Sequence, residues 1–396
     1  MVKSKILIVD DEPFNIDYIE QELEESEYEI ISASNGQEAL DQIQLETPDL
    51  ILLDIMMPVM DGFEVLSQLK ANPETRDMPV IVISANNDLK SVVRGIELGA
   101  EDYLPKPFEP TLLSARISAS LEKKQLRDMQ KIYLKGLERE LEIGREIQLG
   151  FLPPQLPTVE GWDLGVYFKA AHEVAGDYYD AFLLPDGNLT CVVGDVVGKG
   201  VGASIYMGLF RSLVRATAKS DYFILNPKSE RFGSTERLQH VVSFVNDYVA
   251  ETHGHTSIFS TMFVFIINLQ KHRLTYINGG NEPAILLKNN GEISLLWPTG
   301  PIVGVIPQTE YSVEEVELGE GDLVFVYSDG VTDALNDQGE AFSRDRLVKL
   351  LSSNHGSCDG LMRDIEANLR QFIGGAVQFD DITALVVKRL GVNRVK

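Results

Sequence analysis

The sequence predicts two domains of different fold class joined by a helix. The first is an α/β domain with a doubly wound parallel sheet, because short apolar strands alternate with helical periods over the first third of the chain. The second is an α+β domain, because its short strands follow one another through turns and are separated by helices. The 396 residues suffice for two or three domains. The expected limits are 1–121 for the first domain, 122–152 for the helical linker and 153–391 for the second domain.

The composition is that of an acidic protein. The net charge is −25, from 60 acidic and 35 basic residues, which argues against nucleic acid or an anionic membrane surface as a partner. Two cysteines are too few for a disulfide framework, so a reducing compartment is expected. The opening MVKSKILIVDDEP is no signal peptide, and no apolar stretch has the length of a membrane span. We therefore expect a cytoplasmic protein.

The first domain shows a repeated strand–helix pattern. Strands are predicted over 5–9, 28–33, 50–53, 80–83 and 102–104, with helices beginning at Pro13 and over 37–44. Polar residues stand at the ends of four of these strands, and the carboxyl ends of parallel strands form the site edge of such a sheet. Crowded carboxylates there need a cation to remain ionised. The residues at this edge are Asp10, Asp11, Asp54, Ser84 and Lys106.

The motifs VDDEP, LLDIMMPVMDGFEVL, VISA and DYLPKPF resemble those of the receiver domain of two-component response regulators, a flavodoxin-like fold. The resemblance implies that Asp54 accepts a phosphoryl group from a histidine kinase or a small phosphodonor. It also implies a Mg²⁺ held by Asp10, Asp11, Asp54 and the Met56 carbonyl. Lys106 and Ser84 would contact the phosphoryl group after transfer, and the Lys106–Pro107 bond would be cis.

The linker has the pattern of an amphipathic helix that continues out of the first domain. Leu126, Met129, Tyr133, Leu137 and Leu141 recur at spacings of three and four, with charged residues on the other faces. A short coiled coil that joins two copies of the chain is one interpretation. A single helix packed against its own second domain is the other. Two internal glycines each cost the helix about 1 kcal/mol relative to alanine, so its stability is marginal by itself.

The second domain has many short strands. Strands are predicted over 189–194, 262–268, 273–278, 284–287, 323–327 and 382–388, and helices over 201–217, 237–250, 344–351 and near 361–372. Turns such as 185–187 and 288–291 indicate antiparallel pairing. The polar, irregular stretch 219–234 is a candidate flap.

The central stretch of this domain is CVVGDVVGKGVG, residues 191–202. It places Asp195 at the end of an apolar strand, and Gly198 and Gly200 permit a tight turn before the next helix. A solvated turn aspartate is the alternative interpretation. However, Asp177, Asp329 and Asp380 also lie beside glycines or at strand ends. Four converging carboxylates suit two hard divalent ions, and the lack of a Cys/His cluster disfavours zinc.

The motifs AGDYYD, GDVVGKG, FSTMFVFIIN, INGGNEP, LGEGDLVFVYSDGVTDA and FDDIT look like those of PPM-type serine/threonine phosphatases, in the family's order. The branch they resemble most is the bacterial sporulation stage II E and stress-response one. The resemblance implies a β-sandwich flanked by helices and two Mg²⁺ or Mn²⁺ ions. Their ligands would be Asp177, Asp195, the Val196 carbonyl, Asp329 and Asp380. Water activated at this centre would hydrolyse a phosphoserine or phosphothreonine. The implied substrate is a STAS-type anti-anti-sigma protein.

The sequence departs from the family pattern at several positions. Ala175, Val197, Lys199 and Asn281 replace the usual glycine, serine, histidine and histidine, and none of them is a metal carboxylate. Supporting or capping roles are expected for Asp180, Asp333 and Asp381.

The alternative to an enzyme is a binding module, in which an inactive phosphatase-like domain sequesters a partner under control of the receiver. Retention of the four metal aspartates counts against it. Direct DNA binding has little support, since no helix-turn-helix pattern or basic stripe follows the first domain.

Overall fold

The computed structural model describes residues 3–23, 28–85, 89–220, 233–353 and 356–391. The chain divides into two compact units, Met1–Leu137 and Glu138–Lys396. Most of the candidate flap, 219–234, lies outside the described residues. In the ranges that are described, no helix combines the length and the apolar character needed to cross a membrane.

The first unit is built on one parallel sheet with the strand order β2-β1-β3-β4-β5. Its strands are β1 (Ser4–Val9), β2 (Tyr28–Ala33), β3 (Leu50–Asp54), β4 (Val80–Ser84) and β5 (Asp102–Pro105). Its helices are α1 (Pro13–Leu23), α2 (Gly36–Leu45), α3 (Gly62–Ala71), α4 (Leu89–Glu97) and the first part of α5 (Pro110–Phe151).

Both faces of this sheet are covered, because successive side chains of a strand point to opposite faces. Leu7 and Val9 of β1 join a core with residues of α2 and α3. Ile6 and Ile8 join a separate core with residues of α1 and α5. The predicted doubly wound α/β class is thereby confirmed for this unit.

Helix α5 extends without interruption over 42 residues, as the unbroken helical pattern predicted. Beyond its buried first turns it carries large apolar side chains that are mostly exposed. Leu126, Met129, Tyr133 and Ile147 are 61%, 66%, 72% and 62% exposed. The amphipathic stripe of the linker is therefore largely uncovered.

The second unit contains two antiparallel sheets of five strands, with the orders β13-β10-β9-β8-β7 and β12-β11-β14-β15-β6. The strands are β6 (Trp162–Lys169), β7 (Asp177–Leu183), β8 (Leu189–Val196), β9 (Ser260–Asn268), β10 (Arg273–Gly279), β11 (Ala284–Leu287), β12 (Ile293–Leu296), β13 (Glu314–Glu317), β14 (Leu323–Tyr327) and β15 (Ile382–Arg389). The helices are α6 (Val201–Ala218), α7 (Ser234–His253), α8 (Asp329–Thr332), α9 (Arg344–Leu351) and α10 (Cys358–Ile373).

The two sheets stack into a sandwich with helices outside. Residues of both sheets share one core with α6 and α7, which pack on the strands β7 to β10. The other face of the second sheet forms a separate core with α9 and α10. This arrangement confirms the predicted α+β class.

Four strands of the second unit were not predicted: β6, β7, β12 and β13. Only four residues long, β12 and β13 lie at the outer edges of their sheets, and all four residues of β13 are polar or only half-buried. The sequence of β7, DYYDAFL, is buried almost throughout despite its two aspartates. Its burial depends on the second sheet and on α6, which local alternation does not reveal.

Candidate functional site

The first cluster lies at the carboxyl edge of the parallel sheet. The register sets Val9 beside Leu53 and Asp54 beside Ile83, so the ends of β1, β3 and β4 are neighbours. The Lys106 ammonium reaches between two of these ends. Its Nζ lies 2.6 Å from Asp10 Oδ2 and 2.6 Å from Asp54 Oδ1.

Burial and ion pairing shift the pKa values of this cluster in opposite directions. Asp10 and Asp54 are only 2% and 5% exposed. Burial raises the pKa of Asp54 above its ordinary value, and the Lys106 ammonium opposes that rise without cancelling it. Burial acts to lower the pKa of Lys106, but hydrogen bonds and charge from the two aspartates outweigh it, so the pKa is raised. Lys106 is therefore held as a cation between two carboxylates.

The other predicted residues of this edge occupy different environments. Ser84 is fully buried at the end of β4, and its carbonyl accepts a hydrogen bond from the Lys106 backbone N–H at 2.9 Å. Asp11 is exposed. The Met56 backbone N–H donates to Asp54 Oδ2 at 2.7 Å, while the Met56 side chain points to solvent. The Lys106–Pro107 bond is cis.

Sequence reasoning missed Asn15. Its side-chain amide donates to Asp10 Oδ1 at 2.9 Å, beside the Glu12 backbone N–H at 3.0 Å. The signal for it was weak, because an asparagine in the first turn of a helix is equally expected for capping.

The second cluster lies at one edge of the sandwich. Asp177 and Asp195 are directly opposite each other in the register of β7 and β8. In the second sheet, β14 and β15 pair so that the end of one lies beside the start of the other. Asp329 follows β14 and Asp380 precedes β15, so both lie at this end. The Ser328 hydroxyl joins the two sheets by donating to Asp177 Oδ2 at 2.7 Å.

Burial and neighbouring carboxylates raise the pKa of three of these groups, Asp177, Asp195 and Asp329. Burial, followed by the charges of Asp329 and Asp380, raises the pKa of Asp195 to about 7. Burial and the charge of Asp195 raise the pKa of Asp177 well above its ordinary value, although the Thr383 and Ser328 hydroxyls oppose the rise. Burial and the charge of Asp380 also raise the pKa of Asp329. Negative charge at this edge is therefore under-compensated by the protein's own cations.

Asp381 and Asp180 support this edge in different ways. Asp381 accepts hydrogen bonds from the backbone N–H groups of Ala171 and Gly176, both at 2.7 Å, which holds the loop before Asp177. Asp180 is fully buried and pairs with two arginines of α6, Arg211 at 2.8 Å and Arg215 at 2.5 Å. Both contacts agree with the supporting roles that the sequence suggested.

Sequence reasoning missed Gln148, near the end of α5. Its side chain forms hydrogen bonds that fix the same loop. The Gln148 side chain accepts from the Ala175 backbone N–H at 2.9 Å and donates to the Ala175 carbonyl. Gln148 and Ala175 are 4% and 0% exposed. Only the residue type, a glutamine on the apolar face of the helix, could have indicated it.

The donor set fits hard divalent ions in chemical kind. All four side chains offer carboxylate oxygens, which Mg²⁺ and Mn²⁺ prefer. A β-carbon added to Gly176 would come within 2.9 Å of the Val196 carbonyl oxygen and 3.3 Å of Asp195 Oδ1, so only glycine lets the backbone pack this closely against both oxygens. Across the described part of the chain, however, no three Asp, Glu, His or Cys side chains already form a closed ligand set.

Two of the unusual residues make specific contacts. Lys199 Nζ lies 3.3 Å from Asp380 Oδ2. Asn281 is buried and donates to the Tyr327 carbonyl at 3.0 Å, while it accepts from the Thr261 hydroxyl at 3.3 Å. Asn281 thus ties the two sheets together at the end that carries the carboxylates. Val197 is 39% exposed, and its backbone N–H donates to the Phe259 carbonyl.

Comparison with known proteins identifies the family. Residues 185–390, just over half of the chain, match the family model of Stage II sporulation protein E, abbreviated SpoIIE. The chain belongs to the SpoIIE family. Residues 6–118 match the response regulator receiver domain. A receiver domain is therefore followed by a SpoIIE, PPM-type phosphatase domain in this protein.

Individual relatives match portions of the chain. Protein IcfG of Synechocystis sp. is 39% identical over 267 residues, which is 64% of this chain and 42% of IcfG. The alkaline phosphatase synthesis transcriptional regulatory protein PhoP of Bacillus subtilis is 41% identical over 125 residues, 32% of this chain and 51% of PhoP. The chain thus spans about half the length of PhoP and less than half the length of IcfG.

A solved structure supports the fold of the SpoIIE-family domain. The SiaA-PP2C domain of Pseudomonas aeruginosa aligns with a TM-score of 0.51 over 65% of this chain and 98% of that domain. At 21% sequence identity, this likeness shows a shared PP2C-like fold and nothing finer.

Proposed function

We propose that this protein is a response regulator in which phosphorylation of Asp54 controls a Mg²⁺- or Mn²⁺-dependent phosphoserine/phosphothreonine protein phosphatase. The observation that carries the proposal is the under-compensated carboxylate edge of a SpoIIE-family domain, where burial and then the charges of Asp329 and Asp380 raise the pKa of Asp195. A structural role alone does not require four aspartates from separate segments to meet there. The domain limits 1–121, 122–152 and 153–391 belong to the same proposal.

In the receiver, the residues have separate roles. Asp54 is the nucleophile, and one of its oxygens forms the bond to phosphorus as the donor's leaving group departs. Lys106, which pairs with Asp54 in this structure, then pairs with a phosphoryl oxygen, and the Ser84 hydroxyl donates to another. Asp10, Asp11, Asp54 and the Met56 carbonyl would hold a Mg²⁺, which neutralises charge on the phosphoryl group.

In the phosphatase domain, some residues would bind the metal ions and others hold those residues in position. Asp177, Asp195, the Val196 carbonyl, Asp329 and Asp380 would hold two divalent ions, which supply an activated water and neutralise the phosphoryl oxygens. Ser328 orients the Asp177 carboxylate, and Asp381 fixes the loop before it. No covalent bond between enzyme and substrate is needed.

The substrate in this proposal is a phosphoserine or phosphothreonine on a STAS-type anti-anti-sigma protein, and the phosphodonor is a histidine kinase or a small molecule. Membership of the SpoIIE family supports this choice. The second candidate is a receiver-controlled binding module. The four retained aspartates disfavour it, because a surface that only binds a partner has no need for them.

The deciding experiment measures hydrolysis of a phosphorylated STAS-domain protein with Mn²⁺ for wild type, Asp54→Ala and wild type loaded with beryllofluoride. A rate that rises on loading and stays low in Asp54→Ala supports control by phosphorylation. A rate that falls on loading keeps the enzyme and reverses the sign of control. Binding of the partner without turnover in any state favours the binding module. Full turnover by Asp329→Asn would refute the ion-ligand assignment.

We also propose that the protein is a homodimer through α5. Its exposed apolar stripe, which includes Met129 and Tyr133, is the support, since exposed apolar faces of this kind commonly pair. Sedimentation of Tyr133→Glu should give a lighter species than wild type. Lys135→Gln, an exposed change of the same net charge on the other face of the helix, should sediment as wild type. Equal sedimentation of all three proteins as monomers would refute the dimer.

A further inference from the structure

Lys199 makes three contacts with one short segment beside the carboxylate edge. Its ammonium lies 3.3 Å from Asp380 Oδ2 and donates a hydrogen bond to the Phe379 carbonyl. It also sits over the Phe379 ring, 3.6 Å from the ring centroid. The ammonium is therefore positioned on the residue that, under the proposed function, supplies a carboxylate to a divalent ion.

The segment that carries Lys199 is flanked by glycines and lies open to solvent. Lys199 lies between Gly198 and Gly200, in the short connection between β8 and α6. Both glycines have positive φ angles, 99° and 73°, and a β-carbon on either would meet nothing within 4 Å. The side chains of Lys199 and Asp380 are 39% and 35% exposed, so solvent already reaches the pair. Separation of the two groups loses an exposed ion pair of small energy, together with the hydrogen bond and the ring contact to Phe379.

A divalent ion and an ammonium cannot occupy the same carboxylate oxygen together. Each also repels the other across the short distance that separates neighbouring ligands. When a site is only partly available, the apparent affinity for its ligand falls by the available fraction. We propose that Lys199 is an internal counter-ion of Asp380 that competes with the divalent ion for this carboxylate and so sets how tightly the phosphatase domain holds its metal.

The inference rests on the proposed function only in that Asp380 is a metal ligand. It assigns Lys199 a positioning role. It also explains, in physical terms, what the lysine at position 199 does where the family usually has a histidine. The Lys199 ammonium beside Asp380 opposes a second cation there, so the domain binds its ion more weakly than a chain with an uncharged residue at this position.

The test is calorimetric titration of the full chain with Mn²⁺ and no substrate. Lys199→Gln keeps most of the length and polarity but removes the charge, and we expect its affinity for Mn²⁺ to be about two- to fivefold tighter than wild type. Lys199→Arg, which retains a cation, should bind as wild type. Lys271→Gln, in an exposed turn between β9 and β10, is the matched control for loss of one positive charge. The receiver is identical in all four proteins, so ions bound there cancel in the comparison.

A double-mutant cycle with Asp380→Asn separates competition from a general change in structure. In the Asp380→Asn background, Lys199→Gln should no longer tighten binding. Equal or weaker Mn²⁺ affinity in Lys199→Gln, a gain that persists without Asp380, or an equal gain in Lys271→Gln overturns the inference. Failure of the proposed function appears differently, as Mn²⁺ binding without hydrolysis of the phosphoprotein.

Discussion

Asp54 and Asp195 are both largely buried carboxylates, but their surroundings balance their charge differently. Asp54 has the Lys106 ammonium 2.6 Å away, which partly offsets the effect of burial on its pKa. Asp195 has other carboxylates as its charged neighbours, and these add to the effect of burial. Under the proposed function, the first arrangement lets Lys106 change its partner from the Asp54 carboxylate to the phosphoryl group. The second favours capture of cations.

One glycine beside the carboxylate edge permits a close approach of two backbones. A β-carbon on Gly330, in α8, would lie 1.9 Å from the Asp381 carbonyl oxygen. Gly330→Ala should therefore force α8 and the start of β15 apart and lower the free energy of unfolding by at least about 2 kcal/mol. Urea unfolding followed by tryptophan fluorescence measures this unit alone, because both tryptophans, Trp162 and Trp297, lie in it.

The matched control for that prediction is Gly202→Ala in α6. A β-carbon there meets nothing within 4 Å, and alanine has the better helix propensity, so stability should be unchanged or slightly higher. Equal stability of Gly330→Ala and wild type would show that the two backbones separate without cost.

At the scale of elements, the first half of α5 is held to the receiver by ion pairs. Arg127 pairs with Glu101 at 3.0 Å, Lys123 pairs with the same carboxylate, and Lys124 pairs with Asp49 at 2.9 Å. Burial acts to raise the pKa of Glu101, but Lys123 and Arg127 outweigh it, so the pKa is lowered from its ordinary 4.5. A carboxylate with a lowered pKa contributes stability above its unfolded-state pKa and loses it as the pH falls.

Glu101→Gln should therefore destabilise the receiver by about 1 kcal/mol at pH 7, and the difference from wild type should shrink as the pH falls from about 5 to about 3. Hydrogen exchange of amides in β1 and β3 reports on this unit. Glu97→Gln, an exposed change in α4, should match wild type at every pH. A Glu101→Gln effect that is the same at both ends of this pH range would contradict the assignment.

The second half of α5 is joined to the loop before Asp177 by Gln148. Gln148→Ala would leave the Ala175 N–H and carbonyl buried without partners, which costs about 2 kcal/mol. We expect that loss in urea unfolding followed by tryptophan fluorescence. Glu146→Ala, an exposed change in the same turn of the helix, should have little effect. Similar stabilities for the two variants would mean that water replaces the lost hydrogen bonds.

At the scale of the whole molecule, structure and chemistry depend on ions to different degrees. Backbone hydrogen bonds between strands and apolar cores hold the sheets of both units together. Chelation of divalent ions should therefore abolish phosphoprotein hydrolysis while far-UV circular dichroism stays that of the folded protein, and added Mn²⁺ should restore the rate. Undiminished turnover in chelator would remove the ions from the mechanism. A loss of secondary structure would make them part of the fold.

The sequence by itself determined both fold classes, most of the strands and the cluster of the first unit. In a parallel sheet the carboxyl ends of the strands share one edge, so strand ends read from local patterns already bring Asp10, Asp54 and Lys106 together. The same reasoning found the four aspartates of the second unit but not the strands β6, β7, β12 and β13.

Only the tertiary structure decided which groups hold that second edge together. Ser328 contacts Asp177, which is 151 residues away in the chain, and Gln148 contacts Ala175, which is 27 residues away. Lys199 contacts Asp380 and its neighbour Phe379, which is 180 residues away. These contacts depend on how two antiparallel sheets stack and on where one long helix ends. Local periodicity specifies which side of a strand or helix is buried, but not which distant element covers it.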